Sequence, residues 1–197
     1  MKIPPKLVIV GGGAAGLNLA TRLSRSLGRK GKLDVTLVDE NLTHLWKPSL
    51  HEFAAGTKGP SEEISYLEHS NRNRYNFRIG RLAGLDIANK QVLLDPVHGD
   101  NDLELAPHRS LSYDYLVIAI GSRSNDFGCP GVQDHCLFLD SPAQSKKLQS
   151  ELLNLFLRLE TGALRTDDDK VRIAIVGGGA TGVELAAELR EATIQMG

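Results

Sequence analysis

The sequence predicts an α/β fold with a Rossmann-like parallel sheet, on three observations. A short run of β-type residues, 6–10, ends in Gly11-Gly12-Gly13 and leads into a stretch with helical apolar spacing, Ala14 to Leu27. A second β-type run, "LDVTLVD" at 33–39, follows and ends on an acid, completing a strand–turn–helix–strand unit. The opening device then recurs: counted from Val8 and from Ala174, ten of sixteen aligned positions are identical.

The segments between follow in order. "LTHLWKPSLHEFAAG" (42–56) mixes aromatic residues, His and Pro with no clean period. "GPSEEISYLEH" (59–69) reads as a helix start, with Ser61 as N-cap and Glu62 and Glu63 in the first turn, where the helix dipole favours anions. Residues 76–94 alternate and turn like a β-meander, and the polar, proline-broken stretch 95–112 reads as a surface excursion. "YDYLVIAIGS" (113–122) is predicted as a fully buried strand ending in glycine. "SPAQSKKLQSELLNLFLRLE" (141–160) is an amphipathic helix, capped by Ser141 with Pro142 at its first position. Its apolar stripe is Leu148, Leu152, Leu155 and Leu159. After a charged connector at 161–170, residues 171–176 are predicted as the strand that enters the second glycine turn. The domain boundary falls within 140–170, giving domains 1–145 and 146–197.

Composition narrows the function classes. The net charge is −1 and no long basic run is present, so nothing points to nucleic acid or an anionic membrane as partner. No apolar stretch approaches the roughly 18 residues of a membrane span. Cys129 and Cys136 have neither Cys-x-x-Cys nor zinc-site spacing and read as structural residues of a reducing compartment. No metal site is predicted.

The glycines have separable jobs. Gly11 permits a tight turn out of the strand, Gly13 lets backbone approach a pyrophosphate, and Gly16 lets the helix pack close against the strand. The free N–H groups of the following helix, beginning at Ala14 and Ala15, then face the phosphates. Asp39, 28 residues after Gly11, ends the next strand, where a carboxylate accepts bonds from ribose hydroxyls. Glu40 is the second candidate, because Asp39 already terminates the strand pattern. Gly177, Gly179, Ala180, Thr181 and Gly182 repeat the turn. The matching acid falls at about position 205 by the same offset. That is past Gly197, so the chain reads as part of a longer protein. Two such turns imply two dinucleotides, as in a flavin reductase that passes electrons from a nicotinamide to FAD.

The stretches "VTLVDENLTHLWKPSLHE", "YDYLVIAIGSRSNDFGCPGV", "HCLFLDSPAQ" and "IAIVGGGATGVELAAEL" resemble the bacterial type II NADH:quinone oxidoreductases, of the two-dinucleotide pyridine nucleotide-disulfide oxidoreductase superfamily. The likeness runs over nearly all 197 residues. It implies an FAD enzyme that oxidises NADH and reduces a membrane quinone without pumping protons. Residues 1–145 would be an FAD-binding domain and 146–197 the start of an NAD(H)-binding domain. Gly11, Gly13, Ala14, Ala15, Gly16 and Asp39 would hold the ADP half of FAD. Lys47 would approach the flavin, Leu82 would offer backbone groups to the adenine, and Ala119 and Gly121 would line the same cofactor. Gly177, Gly179, Ala180, Thr181 and Gly182 would receive the NADH pyrophosphate.

Glu184 would lie near the nicotinamide–flavin contact as the catalytic acid of the set. The first copy carries Asn18 at that register, in keeping with a role peculiar to the nicotinamide site. His44 and His51, flanking Lys47, read as packed or solvated loop residues rather than catalysts, and Trp46 as core or interface.

The resemblance also implies segments beyond residue 197. These are a Gly-Asp stretch that finishes the FAD site, the quinone site, and amphipathic helices that hold the full-length protein peripherally on the inner, cytoplasmic face of the bacterial cell membrane. Without them the residues present are expected to show little quinone reductase activity. The sheet edge beside 115–120 is then exposed, inviting a homodimer through strand pairing. Two alternatives stay open: a sulfide:quinone reductase or other two-dinucleotide flavoprotein such as a flavin monooxygenase, and a non-catalytic module. Sulfide:quinone reductases use reactive cysteines, which keeps Cys129 in view, and a non-catalytic dinucleotide-binding module would need the turns alone. Thiol–disulfide chemistry of the disulfide-reductase kind lacks its cysteine pair, since "THLWKP" stands where that pair would be.

Overall fold

Lys6–Val10 forms β1, and Val8, Ile9 and Val10 are buried as the β-type run requires. In this computed structural model, which describes residues 3–44, 49–57, 63–165 and 170–196, the chain divides into two units. One comprises residues 1–44 and 63–122, the other 45–62 and 123–197.

In the first unit, β1 runs through the turn into α1 (Ala14–Ser26) and then into β2 (Asp34–Asp39). Two-residue strands β3 (Thr43–His44) and β4 (Ile64–Ser65) pair antiparallel ahead of α3. The helix α2 (Leu50–Ala55), between them in sequence, belongs to the second unit. α3 (Tyr66–Asn73) is capped by Ser65, whose side chain accepts from the Glu68 N–H. The predicted cap, Ser61, lies with Glu62 outside the described residues, and Glu63 precedes the strand rather than joining a helix. The pairing of Ile64 with His44 holds the chain extended there and delays the helix by one turn.

β5 (Asn76–Ile79) also departs from the predicted meander. It pairs parallel with β2, as the fourth strand of a sheet ordered β11-β1-β2-β5, where β11 is Tyr115–Ile118. The alternation of 76–79 was legible, but its partner is set by the crossover through α3, which delivers a parallel strand.

The meander proper is β6 (Leu82–Asp86), β7 (Gln91–Leu94) and β10 (Arg109–Ser112), antiparallel in the order β10-β7-β6. The stretch 95–112 is therefore more than a surface excursion. It holds a small antiparallel pair, β8 (Val97–His98) with β9 (Glu104–Ala106), and then returns a strand to the meander. β11 is not fully buried: it stands at the end of the described sheet, and Tyr115 and Ile118 are exposed.

Two cores result. On one face of the sheet, Leu7, Ile9, Val35 and Leu37 pack with Leu17 and Ala20 of α1 and with Tyr66, Tyr75 and Phe77. On the other, Val8, Val10 and Val38 meet Val92 and Leu94 of the meander. The two sets alternate along β1 and β2, as a sheet covered on both faces demands.

The second unit is helical. α2 (Leu50–Ala55) packs with α5 (Pro142–Glu160) and α6 (Ala180–Met196), and α4 (Val132–His135) is a single turn. α5 starts as predicted: Ser141 accepts from the Gln144 N–H at 3.3 Å and Pro142 sits in the first turn. Of its stripe, Leu152 is buried and Leu148, Leu155 and Leu159 are half-buried.

Residues 171–176 do not form the predicted strand. Ile173, Ile175 and Val176 are exposed, and among the described residues no strand pairs with this segment. A β-type run becomes a strand only when a neighbour takes its hydrogen bonds. Cys129, three residues ahead of α4, and Cys136, its C-cap, are exposed free thiols rather than packed residues.

The closest backbone approach in the first unit sets a measurable limit. A Cβ on Gly16 would fall onto the carbonyl oxygen of Gly11 and stand 3.4 Å from Ile9 Cγ2. Gly16→Ala is expected to destabilise the protein by about 1–3 kcal/mol through overpacking, read as a lower urea midpoint with an unchanged denaturant slope.

Candidate functional site

β1 ends in a turn whose three glycines face three different surroundings. Gly11 sits at φ +104°, and a Cβ there would collide with the Ala119 carbonyl at the end of β11. Its N–H donates to the Val38 carbonyl at 2.8 Å, while the Ala119 N–H donates to the Val10 carbonyl at 2.7 Å. The turn is thus pinned to the strands on both sides. Gly12 is buried, and its Cβ would strike the Tyr66 hydroxyl. Gly13 is exposed, with nothing within 4 Å of the position a Cβ would take.

α1 begins directly after this open glycine. Gly13 is its N-cap and supplies no side-chain cap, and the first turn holds no acid. The first helical bond runs from the Leu17 N–H to the Gly13 carbonyl at 2.9 Å. Ala14 and Ala15 are exposed, so the helix presents N–H groups and its positive end over an open backbone. This is an anion-binding arrangement made from backbone alone.

Asp39 is held beside it. Its Oδ2 accepts from the Gly12 N–H at 2.7 Å, and its Oδ1 accepts from the backbone N–H of Asn41 at 2.9 Å and from Asn41 Nδ2 at 3.1 Å. A carboxylate offers about four acceptor positions, so three donors orient it while leaving capacity for a hydroxyl. Glu40, the other candidate acid, is exposed to solvent.

Gly12 and Tyr66 are the residues that sequence reasoning missed. The Tyr66 hydroxyl donates to the Gly12 carbonyl at 2.7 Å and lies 3.4 Å from His44 Nδ1. Its ring stacks on Phe77 with centroids 5.0 Å apart. Tyr66 therefore holds the middle of the turn from below, and only glycine leaves room for it. The middle glycine of the run, Gly12, outside the G-x-G-x-x-G pattern, was the available signal. Burial raises the Tyr66 pKa, with the Asp39 charge acting in the same direction, so the phenol stays a donor.

The other candidates of this unit are placed less tightly. Leu82 begins β6 and its side chain packs against the Val8–Val38 core, leaving its backbone at the strand end. Gly121, at φ +75°, follows β11 and is exposed. Lys47 and Trp46 lie outside the described residues.

The second turn repeats the geometry of the first. Gly177 has φ +115°, a Cβ on Gly182 would meet the Gly177 carbonyl and lie 3.4 Å from Ile175 Cγ2, and Gly179 opens onto free space. α6 begins at Ala180 and Thr181 with no acid in its first turn, and the Val183 N–H donates to the Gly179 carbonyl at 3.1 Å. Within this unit, Glu184 Oε2 is 3.5 Å from His51 Nδ1.

Two uncapped, glycine-opened helix starts of matching geometry define a dinucleotide-binding protein of Rossmann type. The chain belongs to the pyridine nucleotide-disulphide oxidoreductase family, whose model matches residues 5–196. It is 49% identical to the type II NADH:quinone oxidoreductase of Haemophilus influenzae, over 94% of this chain and 45% of that protein. It is 31% identical to the external alternative NAD(P)H-ubiquinone oxidoreductase B1 of Arabidopsis thaliana mitochondria, over 96% of this chain and 33% of that protein. Its fold matches NDH2 from Plasmodium falciparum in complex with RYL-552 with a TM-score of 0.80 and 24% identity, covering 98% of this chain and 38% of that one. The chain spans less than half the length of these relatives. No described helix is long and apolar enough to cross a membrane.

The groups beneath the first turn give stability a pH dependence. Burial lowers the pKa of His44 from the usual 6.5, against an opposing pull from Asp39. Burial also lowers that of His69, helped by Arg25 and Arg72. Both imidazoles take up a proton more readily in the unfolded chain. Stability is therefore full above the unfolded value and declines as pH falls below it. The urea midpoint is expected to drop between about pH 8 and about pH 5. In His44→Gln the part of that drop due to His44 should disappear, leaving a shallower slope.

Proposed function

We propose that the chain carries the flavin-binding site and the nicotinamide pyrophosphate turn of an NADH:quinone oxidoreductase of type II. In this reading the first turn holds FAD, the second receives NADH, and the electrons pass to a quinone. The observation that carries it is the pair of matching turns, Gly11–Gly16 and Gly177–Gly182, each opening an uncapped helix. The likeness to relatives bearing that name, at up to 49% identity, supports the choice of substrates.

The residues of the first turn fit a dinucleotide. The open face over Gly13 admits the diphosphate, the Ala14 and Ala15 N–H groups with the helix dipole neutralise it, and Asp39 accepts from the adenosine ribose. Ala119 borders the same turn at Gly11, and Gly121 and the Leu82 backbone are assigned to the same cofactor, Leu82 at the adenine, from the sequence motif. Lys47 is assigned to the flavin end from the sequence motif. Bound FAD would supply the two-electron acceptor. On the NADH side, Gly177, Gly179, Ala180, Thr181 and Gly182 hold the pyrophosphate, and Glu184 meets the nicotinamide end. Residues 1–145 correspond to the FAD half of this scheme and 146–197 to the NAD(H) half. Peripheral attachment to the inner face of the cell membrane follows from the same reading, because the acceptor quinone is a membrane lipid.

Gly13→Val tests the first turn where there is room for a side chain to start, since nothing stands within 4 Å of the position its Cβ would take. The unsubstituted protein should bind FAD and take on flavin absorbance. Gly13→Val should lose at least about tenfold in FAD affinity while its urea midpoint moves little. Equal FAD affinity in the two proteins would overturn the assignment of this turn to the cofactor.

A further inference from the structure

The loop predicted to lie near the flavin folds, over its described part, as α2 within the second unit. Its position is fixed from both sides. The Ser145 hydroxyl of α5, fully buried, donates to the Leu50 carbonyl at 2.8 Å, and the Thr57 hydroxyl just past α2 donates to Glu188 of α6 at 2.7 Å. Between these anchors His51 is buried, 8% exposed, and its Nδ1 faces the half-exposed Glu184 carboxylate at 3.5 Å. The other acids around the imidazole are Glu52 of its own helix and Glu188, one turn beyond Glu184.

Glu184 is not needed to build the turn it follows. The first turn makes the same glycine overlap, the same positive φ and the same open third glycine with Asn18 at the equivalent register. An acid placed two residues beyond Gly182 is therefore surplus to the turn's own construction. A carboxylate on a half-exposed side chain samples several rotamers in water, and a ligand must select one. A buried imidazole on an anchored helix removes that freedom in advance.

We infer that His51 is a positioning residue that fixes the Glu184 carboxylate for the nicotinamide end of NADH. The inference rests on the assignment of the second turn to NADH. The imidazole acts through Nδ1, so an asparagine, whose amide nitrogen can occupy that place, substitutes for it. A glutamine, whose amide reaches toward the Nε2 position, does not.

Calorimetric titration of the full-length protein with NADH and with ADP-ribose separates the two ideas, because ADP-ribose carries the diphosphate without the nicotinamide. Failure of the unsubstituted full-length protein to bind either ligand would remove the NADH assignment, and the inference with it. With both ligands bound, His51→Ala should weaken NADH by roughly three- to tenfold and leave ADP-ribose unchanged. His51→Asn should restore NADH to within about twofold. If His51→Ala does not fold, His51→Gln takes its place, with the same loss expected relative to His51→Asn. Unchanged NADH affinity in His51→Ala, or an equal loss for both ligands, would overturn the positioning role while leaving the NADH assignment standing.

Discussion

The contact between the Gly16 Cα and the Gly11 carbonyl governs how the first unit is put together. With no Cβ in the way, α1 settles against β1 closely enough for Leu17 and Ala20 to join the core of Ile9 and Leu37. The same closeness aims the helix N-terminus over Gly13. Moving the helix outward by the radius of a methyl group would loosen that core and tilt the N–H groups away from the space a phosphate needs. Packing and ligand recognition thus depend on one absent side-chain atom, repeated at Gly182.

Support for the turn comes from a small polar network rather than from more apolar contacts. Gly12 gives its N–H to Asp39 and takes the Tyr66 hydroxyl on its carbonyl, so both backbone groups of a buried residue are satisfied. Tyr66 is in turn located by its stacking on Phe77 and by the Ser65 cap that starts its helix. The network joins β1, β2 and α3 at the point where the sheet meets the site. Asp39 consequently has two duties, orienting the turn and presenting acceptor capacity to a ribose, and a substitution there disturbs both. The low-pH sensitivity of His44 belongs to this layer, since its ring packs against the same tyrosine.

Local signals in the sequence located what local physics decides. The first strand–turn–helix–strand unit, the acid that ends it, and the Ser141-Pro142 start of α5 all depend on residues within a few positions of one another. The errors have a common cause. The helix α3 starts from Ser65 because Ile64, just before it, pairs with His44, twenty residues away. The alternation in 76–79 announced a strand but not that its partner would be β2. The helix α2 was hidden in an aperiodic loop, because six residues are too few to show a helical period and its packing partners lie some ninety or more residues downstream. Of the candidate site, the glycines and Asp39 were legible, whereas Tyr66 was not. Nothing in the sequence near Tyr66 says that its hydroxyl reaches Gly12.

The two turns differ in one informative respect. The first is clamped between strands through Val38 and Ala119, while the second follows a segment with no strand partner among the described residues. Their internal geometry nevertheless matches, down to the isoleucine Cγ2 that lies 3.4 Å from the position a Cβ on the last glycine would take. The shape of the turn is the same with and without a paired strand beside it among the described residues. The left-handed φ of the first glycine, the close fit of the last, and the helix start between them are enough, and all three are local properties of the repeated residues. What the sheet adds in the first copy is burial and fixed orientation. Divergence between the copies then falls where local shape does not depend on it, at Asn18 and Glu184. There the second copy gains a charge and, through α2, a buried imidazole to hold it.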